Sequence, residues 1–346
     1  MSVTVENTSK IVDRHRAIKS DTLSYLLVRE AGGLGDDIRI GAVARVIKSK
    51  DPKARVTVLG MQQFRDVFTH LEGIDSFKYV SFNLKFRRGR NESLVRARYL
   101  ASSLTGYDRV IDLFCPGYNY ETQELGEVTR ERIDSFLLAA KFGLQDALPP
   151  VWNVTEGEAE DAAKWLYSAI DPCRPLVGLH RRSTDASRTY KDEMSIELIH
   201  RLYDVGYNVI MFDVARGLGS NPAIPAIKLP VPKVAAIIKQ LDVLVCVDSG
   251  LLHIAGAVGT PIVGLFGSTD GFVIGKHYNC TPVVPYGYYR GVPSPCGNPC
   301  YYRPQRGWTK DCRKTGCFWL NLVYPPMVVA AVKEVLEGES HAECIR

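Results

Sequence analysis

Short runs of apolar residues alternate along this chain with longer segments in which apolar positions recur every three or four residues. The first run, Ser24–Arg29, ends at a glycine-rich turn, and the segment after it, Asp36–Lys48, carries its apolar side chains on one helical face. The alternation continues to Lys141. It predicts strands at Ser24–Arg29, Ala54–Leu59, Phe77–Val80 and Asp108–Phe114, and helices at Asp36–Lys48, Gln62–His70, Asn91–Leu104 and Thr129–Lys141.

Prolines interrupt this pattern in the middle of the chain, at Leu148-Pro-Pro150 and again at Pro172 and Pro175. Between them, Glu156–Ala169 is predicted to form a connecting helix. The pattern then restarts and predicts strands at Leu176–Leu179, Asn208–Phe212, Val243–Val247 and Ile262–Phe266, and helices at Ser195–Val205, Val231–Gln240, Leu251–Val258 and Met327–Leu336.

Strands and helices that alternate at this spacing form parallel sheets covered on both faces. The sequence therefore predicts an α/β protein with two doubly wound domains that face each other across a cleft. The N-terminal domain is expected over residues 1–155, a connecting segment over 156–174 and the C-terminal domain over 175–346. Ligands of such sheets bind beyond the carboxyl ends of the strands, so the chemistry is expected there.

The composition is that of a globular protein, since 46% of the 346 residues are hydrophobic and 23% are charged. No apolar run reaches the roughly 18–20 residues that span a bilayer, and Met1–Ser20 is polar. A cytoplasmic protein is therefore expected, with peripheral membrane contact left open. The formal net charge of +5 suits an anionic ligand but does not by itself indicate DNA binding.

Positive charge is concentrated between Lys85 and Arg98, where six basic residues accompany a single acid, Glu92. Because this stretch lies in the N-terminal domain, Arg88 and Arg90 are predicted to contact an anionic acceptor. A solvated helix face is the structural alternative, and a nucleic-acid contact is the functional one.

The strongest chemical motif is Asp248-Ser-Gly-Leu-Leu-His253, which follows the predicted strand Val243–Val247. The free amides at the start of the next helix, around Ser249, Gly250 and Leu251, form an anion site suited to a diphosphate. Asp248 can hold sugar hydroxyls, and His253 can reach a phosphate or a donor hydroxyl. The alternative is a helix cap and a packed histidine.

Two further strand ends carry polar residues. Asp36 follows the first strand and can act as general base toward an acceptor hydroxyl, although helix capping is an equal alternative. The loop His180–Lys191 follows the first strand of the second domain. Its Lys191, with Arg181 or Arg182, can neutralise a phosphate leaving group. A solvated loop is the alternative. Asp213, after the strand Asn208–Phe212, is predicted to contact a ribose.

Taken in order, these motifs resemble glycosyltransferase family nine, the bacterial heptosyltransferases. The first strand of that family ends in a Gly-Asp pair, as at Gly35-Asp36, and its signature Asp-(Ser/Thr)-Gly-x-x-His is matched at Asp248–His253. A Gly-x-Pro and a strand ending in Phe-Gly-x-Thr follow, as in Gly259-Thr-Pro261 and Phe266-Gly-Ser-Thr269.

The resemblance runs from about Leu26 to Leu336 and implies two Rossmann-like domains in a GT-B fold. It implies inverting transfer of heptose or another hexose-like sugar from a nucleotide-diphosphate sugar, with ADP-heptose the nearest donor. An anionic glycan or glycolipid, such as the lipopolysaccharide core, is the nearest acceptor. It also implies that Lys191 binds donor phosphate and that catalysis needs no cofactor. Acceptor contacts do not carry over, because Arg39-Ile-Gly-Ala42 stands where the family usually has a proline.

Four clustered cysteines lie at the spacing C-x3-C-x11-C-x4-C, namely Cys296, Cys300, Cys312 and Cys317. Two close pairs separated by a loop suit a tetrahedral thiolate site for Zn or Fe, which would be structural. Some heptosyltransferases that act on bacterial surface proteins resemble this, with an iron-binding four-cysteine finger. Reduced core thiols and disulfides are the alternatives.

Three other functions compete with this interpretation. A nicotinamide-dependent oxidoreductase is disfavoured, because no glycine fingerprint is followed about 20 residues later by a ribose-binding acid. A sugar-nucleotide-binding protein without turnover is disfavoured by the intact Asp36, Lys191 and His253. A transferase that acts on a protein or nucleic-acid acceptor stays open.

Overall fold

The computed structural model of the chain describes residues 22–29, 33–79, 106–113, 130–213, 222–226, 228–285 and 316–343. The first half contains β1 (Ser24–Val28), α1 (Leu34–Lys50), β2 (Arg55–Gly60), α2 (Arg65–His70), β3 (Ser76–Tyr79), β4 (Arg109–Asp112) and α3 (Arg132–Ala139). Its strands form a parallel sheet in the order β3-β2-β1-β4.

Helix α4 (Glu156–Tyr167) follows, capped by Thr155 and Glu158. The second half contains β5 (Leu176–His180), α5 (Asp192–Asp204), β6 (Asn208–Met211), β7 (Ile224–Pro225), α6 (Val231–Lys239), β8 (Val243–Val247), α7 (Gly250–Val258), β9 (Ile262–Leu265), α8 (Gly271–Ile274), β10 (Cys280–Val283) and α9 (Pro325–Glu343). Its parallel sheet has the order β10-β9-β8-β5-β6-β7.

The strands are buried on both faces, which is why they appear in the sequence as continuous apolar runs. In β1, Leu27 packs into a large cluster on one face of the sheet, while Leu26 and Val28 pack with Leu59 on the other. In β8, Val245 belongs to a cluster that α5 and α9 cover. Alternate residues of each strand thus bury opposite faces, as a doubly wound sheet requires.

The predicted α/β class with two parallel sheets is confirmed. The apolar pattern locates the longer strands and helices to within a few residues, except that α9 ends seven residues beyond the predicted Leu336. It does not predict β7 and α8, which have only two and four residues. It also misses β10, because Cys-Thr-Pro-Val is not a continuous apolar run. The helix predicted over Asn91–Leu104 lies outside the described residues.

The two sheets are joined by more than the connecting helix. The backbone N–H of Trp152 donates to the carbonyl of Ala257 in α7 at 2.8 Å, and Trp152 also bridges to Leu71 at the end of α2. Leu166 of α4 lies in the same apolar cluster as Leu27 of the first sheet. That cluster therefore continues from one half of the chain into the other. None of the described helices is long and apolar enough to cross a membrane.

Candidate functional site

A cavity of about 670 Å³ lies between the two halves, at the carboxyl ends of β1, β5 and β8. The first half contributes Gly33, Leu34, Gly35, Asp36, Arg39, Arg130 and Arg132, and the second half contributes His180, Arg182, Ser183, Thr184, Arg188, Asp248, Ser249, Gly250, Leu251, His253 and Ile274. The structure thus brings Asp36 and the motif Asp248–His253 to one cavity. Such a cleft beyond the strand ends is where ligands of doubly wound sheets bind.

The N-termini of α1 and α7 meet beside this cavity. A Cβ atom added at Gly35 would lie 2.3 Å from Cδ2 of His253, whose side chain is buried. A Cβ added at Gly250 would lie 3.0 Å from the side chain of Leu34. A side chain at Gly35 would therefore displace the His253 ring, and a side chain at Gly250 would press against Leu34. The two sequence motifs are in contact across the interface between the halves.

Asp36 is held by three arginines. Its carboxylate lies 2.9 Å from Nη2 of Arg29 and 3.4 Å from Nη1 of Arg39, and it also pairs with Nη1 of Arg132. Burial alone would raise the pKa of Asp36, but the charges of Arg132, Arg29 and Arg39 hold it well below its usual range. Asp36 is therefore a carboxylate at any physiological pH. The neighbouring acid, Asp37, does not line the cavity.

On the opposite wall, Arg188 is bound to Asp248. Its Nη1 lies 3.3 Å from Oδ2 of Asp248 and donates to the carbonyl oxygen of the same residue at 3.2 Å. Ser249 adopts an extended backbone as the N-cap of α7, and its Oγ lies 3.0 Å from Nδ1 of His180. Burial, with the charges of Arg181 and Arg182, lowers the pKa of His180 to about 4, so its imidazole is neutral.

His253 lies one turn into α7 and is almost fully buried. Its Nδ1 is 3.2 Å from the hydroxyl of Tyr278, and the two rings are tilted at a centroid distance of 5.6 Å. Burial and the charge of Arg39 lower the pKa of His253 well below its usual value. The ring is therefore a neutral hydrogen-bonding group at the joint between α1 and α7.

Three predicted donor contacts lie away from the cavity surface. Lys191 is the exposed N-cap of α5 and does not line the cavity. Arg181 is buried, where it pairs with Asp192 and lies 3.2 Å from Asp213. Asp213 also accepts hydrogen bonds from the backbone N–H groups of Arg181 and Arg182, at 3.0 and 3.1 Å. Arg181 and Asp213 thus shape the loop that presents Arg182.

Five arginines line the cavity. The sequence prediction named Arg182, as the alternative to Arg181, and missed Arg39, Arg130, Arg132 and Arg188. Arg188 could have been predicted from the sequence, because it lies in the same cationic loop as Lys191. A short turn, Ala186–Arg188, capped by the side chain of Asp185, directs Arg188 to the cavity. Arg130 and Arg132 had no such signal, since they lie at the start of a helix far from any motif.

The remaining predicted residues fall largely outside the described ranges. These are Arg88 and Arg90 of the basic stretch and the cysteines Cys296, Cys300 and Cys312. Cys317 is described and is buried. Within the described part of the chain, no group of three or more His, Cys, Asp or Glu residues is placed to hold a metal ion.

Comparison with known proteins gives consistent matches. Residues 128–281 match the model of glycosyltransferase family 9 (heptosyltransferase). Lipopolysaccharide heptosyltransferase 3 of Escherichia coli is 28% identical over 156 residues, which are 41% of this chain and 42% of that relative. The chain therefore matches less than half the length of this curated relative. The matched family segment includes the loop His180–Lys191 and the motif Asp248–His253 but not Asp36.

Solved structures share the fold over nearly the whole chain. A family 9 glycosyl transferase from Veillonella parvula has a TM-score of 0.66 at 16% identity, covering 91% of this chain and 97% of that one. The ADP-heptose lipopolysaccharide heptosyltransferase II of E. coli has a TM-score of 0.65 at 16% identity, covering 92% and 100%. TibC of enterotoxigenic E. coli, an iron-containing dodecameric glycosyltransferase, has a TM-score of 0.61 at 14% identity, covering 91% and 76%. The predicted two-domain fold is confirmed.

Proposed function

We propose that this chain, whose residues 128–281 match the model of glycosyltransferase family 9, is a glycosyltransferase that moves a sugar from a nucleotide-diphosphate donor to an acceptor hydroxyl. The observation that carries this proposal is the shared cavity. Asp36 lines it from the first half of the chain, and the anion-binding start of α7 lines it from the second. A base and a diphosphate site therefore lie on facing walls.

The proposed reaction is a single displacement with inversion at the anomeric carbon. The acceptor oxygen forms a bond to that carbon as the bond to the donor phosphate breaks, and the nucleoside diphosphate leaves with the electron pair. The proton of the acceptor hydroxyl passes to the carboxylate of Asp36. Because Asp36 is already ionised, it needs no prior loss of a proton to act as general base.

The arginines around Asp36 weaken it as a base when the cavity is empty of substrate. A low pKa means a small driving force for proton uptake. The diphosphate brings negative charge into the same cavity, and this charge opposes the effect of Arg132 and Arg39 on the carboxylate. The base strength of Asp36 is therefore expected to rise when donor binds, which couples proton transfer to the presence of donor.

Arg188 and Arg182 are the side chains we assign to the leaving diphosphate. Both line the cavity beside the first-turn amides of α7, at Ser249, Gly250 and Leu251. These fixed donors stabilise charge that develops on the phosphate. We therefore propose that Arg188, and not Lys191, contacts the donor phosphate. Asp248, oriented by Arg188, is left to hold hydroxyls of the donor sugar.

For the substrates, we propose ADP-heptose as donor and an anionic glycolipid as acceptor. The support is that one solved relative is an ADP-heptose enzyme and the curated relative is a lipopolysaccharide heptosyltransferase. On the acceptor side of the cavity, Arg130 and Arg132 provide positive charge that suits an anionic acceptor.

We also retain the proposal that the four clustered cysteines hold one structural Zn or Fe. Four thiolates at this spacing are the donor set that tetrahedral Zn and Fe sites use, and an iron-containing glycosyltransferase is among the solved relatives. Elemental analysis of protein purified without chelator tests this. About one metal per chain, lost in the Cys296→Ser, Cys300→Ser variant, is the expected result.

The main test of the proposed function compares Asp36→Asn with Asp37→Asn. Both replace an acid in the first turn of α1 with its amide, but only Asp36 lines the cavity. Asp36→Asn should lower sugar transfer by about 100- to 10,000-fold, the usual contribution of a general base. Affinity for the nucleoside diphosphate should stay near the wild-type value.

Asp37→Asn is the control, because burial raises the pKa of Asp37 well above its usual value and a neutral amide resembles its protonated form. This variant should keep wild-type turnover. Transfer at the wild-type rate by Asp36→Asn, measured with nucleotide-sugar donors, would show that Asp36 is a structural residue and not the base.

A further inference from the structure

The first turn of α3 is bonded to both halves of the chain. We propose that Asp134, together with Lys276 and His277, positions Asp36 for proton transfer by fixing this turn. The inference deepens the proposed function and rests on it. None of these three residues belongs to a motif that the sequence shows.

Asp134 is 2% exposed and bonds two side chains of the second half. Its Oδ2 accepts from Nζ of Lys276 at 2.5 Å, and its Oδ1 lies 2.7 Å from Nε2 of His277. Burial opposes ionisation, but His277 and Lys276 lower the pKa of Asp134 below its usual value. Lys276 and His277 lie just beyond Gly275, the C-cap of α8. These two contacts therefore tie α3 to the half of the chain that contains the second sheet.

The same turn of α3 fixes the groups around Asp36. Arg132, the first residue of α3, pairs directly with Asp36. Glu131, the N-cap of α3, lies 2.6 Å from Nε of Arg39, and Arg39 in turn lies 3.4 Å from Asp36. Two of the three arginines that hold the carboxylate are thus set by residues within three positions of Asp134.

The segment 276–278 also reaches the donor side. Tyr278, next to His277, bonds His253 of α7 through its hydroxyl at 3.2 Å. A Cβ atom at Gly256, in the middle of α7, would lie 2.1 Å from the Tyr278 ring, so the ring is packed tightly against that helix. Residues 276–278 therefore contact two helices. One is α7, whose start is the proposed diphosphate site, and the other is α3, which orients the arginines around Asp36.

This arrangement predicts that the contacts of Asp134 affect turnover more than binding. A misplacement of about 1 Å between reacting groups can lower a rate about 100-fold. If α3 shifts, Arg132 and Glu131 shift with it, and the carboxylate of Asp36 no longer faces the acceptor oxygen. The diphosphate contacts, at Arg188 and the start of α7, lie on other elements.

The test measures transfer kinetics and nucleoside diphosphate affinity for Asp134→Asn, His277→Gln and the double variant. Asp134→Asn keeps the shape of the side chain and loses its charge. It should lower kcat at least about tenfold while diphosphate affinity changes less than about threefold, a split expected for lost orientation. Since the two residues bond each other, the double variant should lose little more than the worse single variant.

Glu158→Gln is the matched control. Glu158 in α4 lies 3.0 Å from Nε2 of His70 in α2, so it is a second His–carboxylate contact between elements, and neither residue lines the cavity. It should keep wild-type kcat. The inference is overturned if folded Asp134→Asn keeps kcat within about twofold of wild type, if Glu158→Gln loses as much, or if diphosphate affinity falls in parallel with kcat.

A wild-type protein that transfers no sugar from any nucleotide sugar would instead refute the proposed function. In that case, amide hydrogen exchange tests the inference, because it does not require a measurable transfer activity. In Asp134→Asn, amides of residues 131–136 should exchange at least about tenfold faster than in Glu158→Gln, because the tie to Lys276 and His277 is lost. Equal exchange in the two variants would overturn the inference.

Discussion

Arg188 and Lys191 stand three positions apart in one cationic loop, yet only Arg188 lines the cavity. A turn at Ala186–Arg188 directs the arginine inward, whereas Lys191 caps α5 and is exposed. An exposed lysine contributes little because water screens its charge. A guanidinium beside Asp248 is fixed in direction and can bind phosphate through two N–H groups. Charge in a sequence therefore does not identify which member of a loop lines the cavity.

Arg188→Ala should weaken nucleoside diphosphate binding by about ten- to a hundredfold, the value of one charge-assisted contact. Lys191→Ala is the matched variant from the same loop, and it should change the affinity less than about fivefold. Isothermal calorimetry with ADP measures both. A greater loss of ADP affinity in Lys191→Ala than in Arg188→Ala would show that the lysine makes the phosphate contact.

His180 gives a prediction for the pH dependence of stability. Its pKa is about 4 in the folded protein because of burial and the charges of Arg181 and Arg182, whereas a histidine in an unfolded chain titrates near pH 6.5. Between these pH values the unfolded chain binds a proton that the folded chain does not. The free energy of unfolding therefore falls as the pH is lowered through this window.

His180→Gln should remove that contribution, so the variant should lose less stability than wild type between about pH 6.5 and about pH 4. Urea unfolding at several pH values measures the slope. His200→Gln, which changes an exposed histidine of α5, is the control and should retain the wild-type slope. An unchanged slope in His180→Gln would contradict the low pKa.

The first turns of helices α1 and α7 pack against each other, because each has a glycine where a side chain of the other helix lies. Gly35 is the second residue of α1 and faces the ring of His253, while Gly250 begins α7 and faces Leu34. The residues next to each glycine in the sequence are those of an ordinary helix. The requirement for glycine arises from the other helix and not from the backbone conformation of either glycine.

Gly35→Ala should therefore push the buried His253 ring or α1 out of place. Overpacking of this kind costs about 1–3 kcal/mol, and transfer should fall with it because Asp36 is the next residue. Gly157→Ala is the matched control, since Gly157 is also the second residue of a helix, α4, and an added Cβ there has no atom within 4 Å.

Melting temperature and turnover of both variants check this prediction. Gly157→Ala should be neutral or slightly stabilising, as alanine usually is in a helix. If Gly35→Ala is as stable and as active as Gly157→Ala, the close contact between α1 and α7 does not exist in solution.

The molecule as a whole has two sheets but a shared apolar cluster. The cluster contains Leu27 of the first sheet, Trp152, Leu166 of the connecting helix, and Ile237 and Ile254 of the second half. Apolar burial is the main favourable term in folding. Neither half can therefore separate without exposing part of the common core to water.

We expect this chain to unfold in a single calorimetric transition, with equal calorimetric and van't Hoff enthalpies. A nucleoside diphosphate that binds only the folded protein should shift the whole transition upward. Two resolved peaks, or a ligand shift confined to one of them, would show that the halves unfold independently despite the shared cluster.

Most of the elements could be predicted from the sequence, because buried parallel strands are continuous apolar runs and their helices keep a period of 3.6 residues. The strand Val243–Val247 lies where the pattern predicts it. Asp36 and Asp248 could be singled out because each follows a strand. The pattern misses β7 and α8, which have only two and four residues, and β10, whose polar threonine and proline interrupt the apolar run.

Sequence alone is enough to infer the α/β class, the order of the elements and the two motifs at Asp36 and Asp248–His253, because these depend on neighbours along the chain. The packing of the two halves sets which cations reach the cavity, why Gly35 has no room for a side chain, and that Asp134 joins the halves of the chain. Those outcomes depend on contacts between residues far apart in the sequence, such as Gly35 with His253 and Asp134 with Lys276. Their distances are fixed only when the two sheets pack, and no local pattern encodes them.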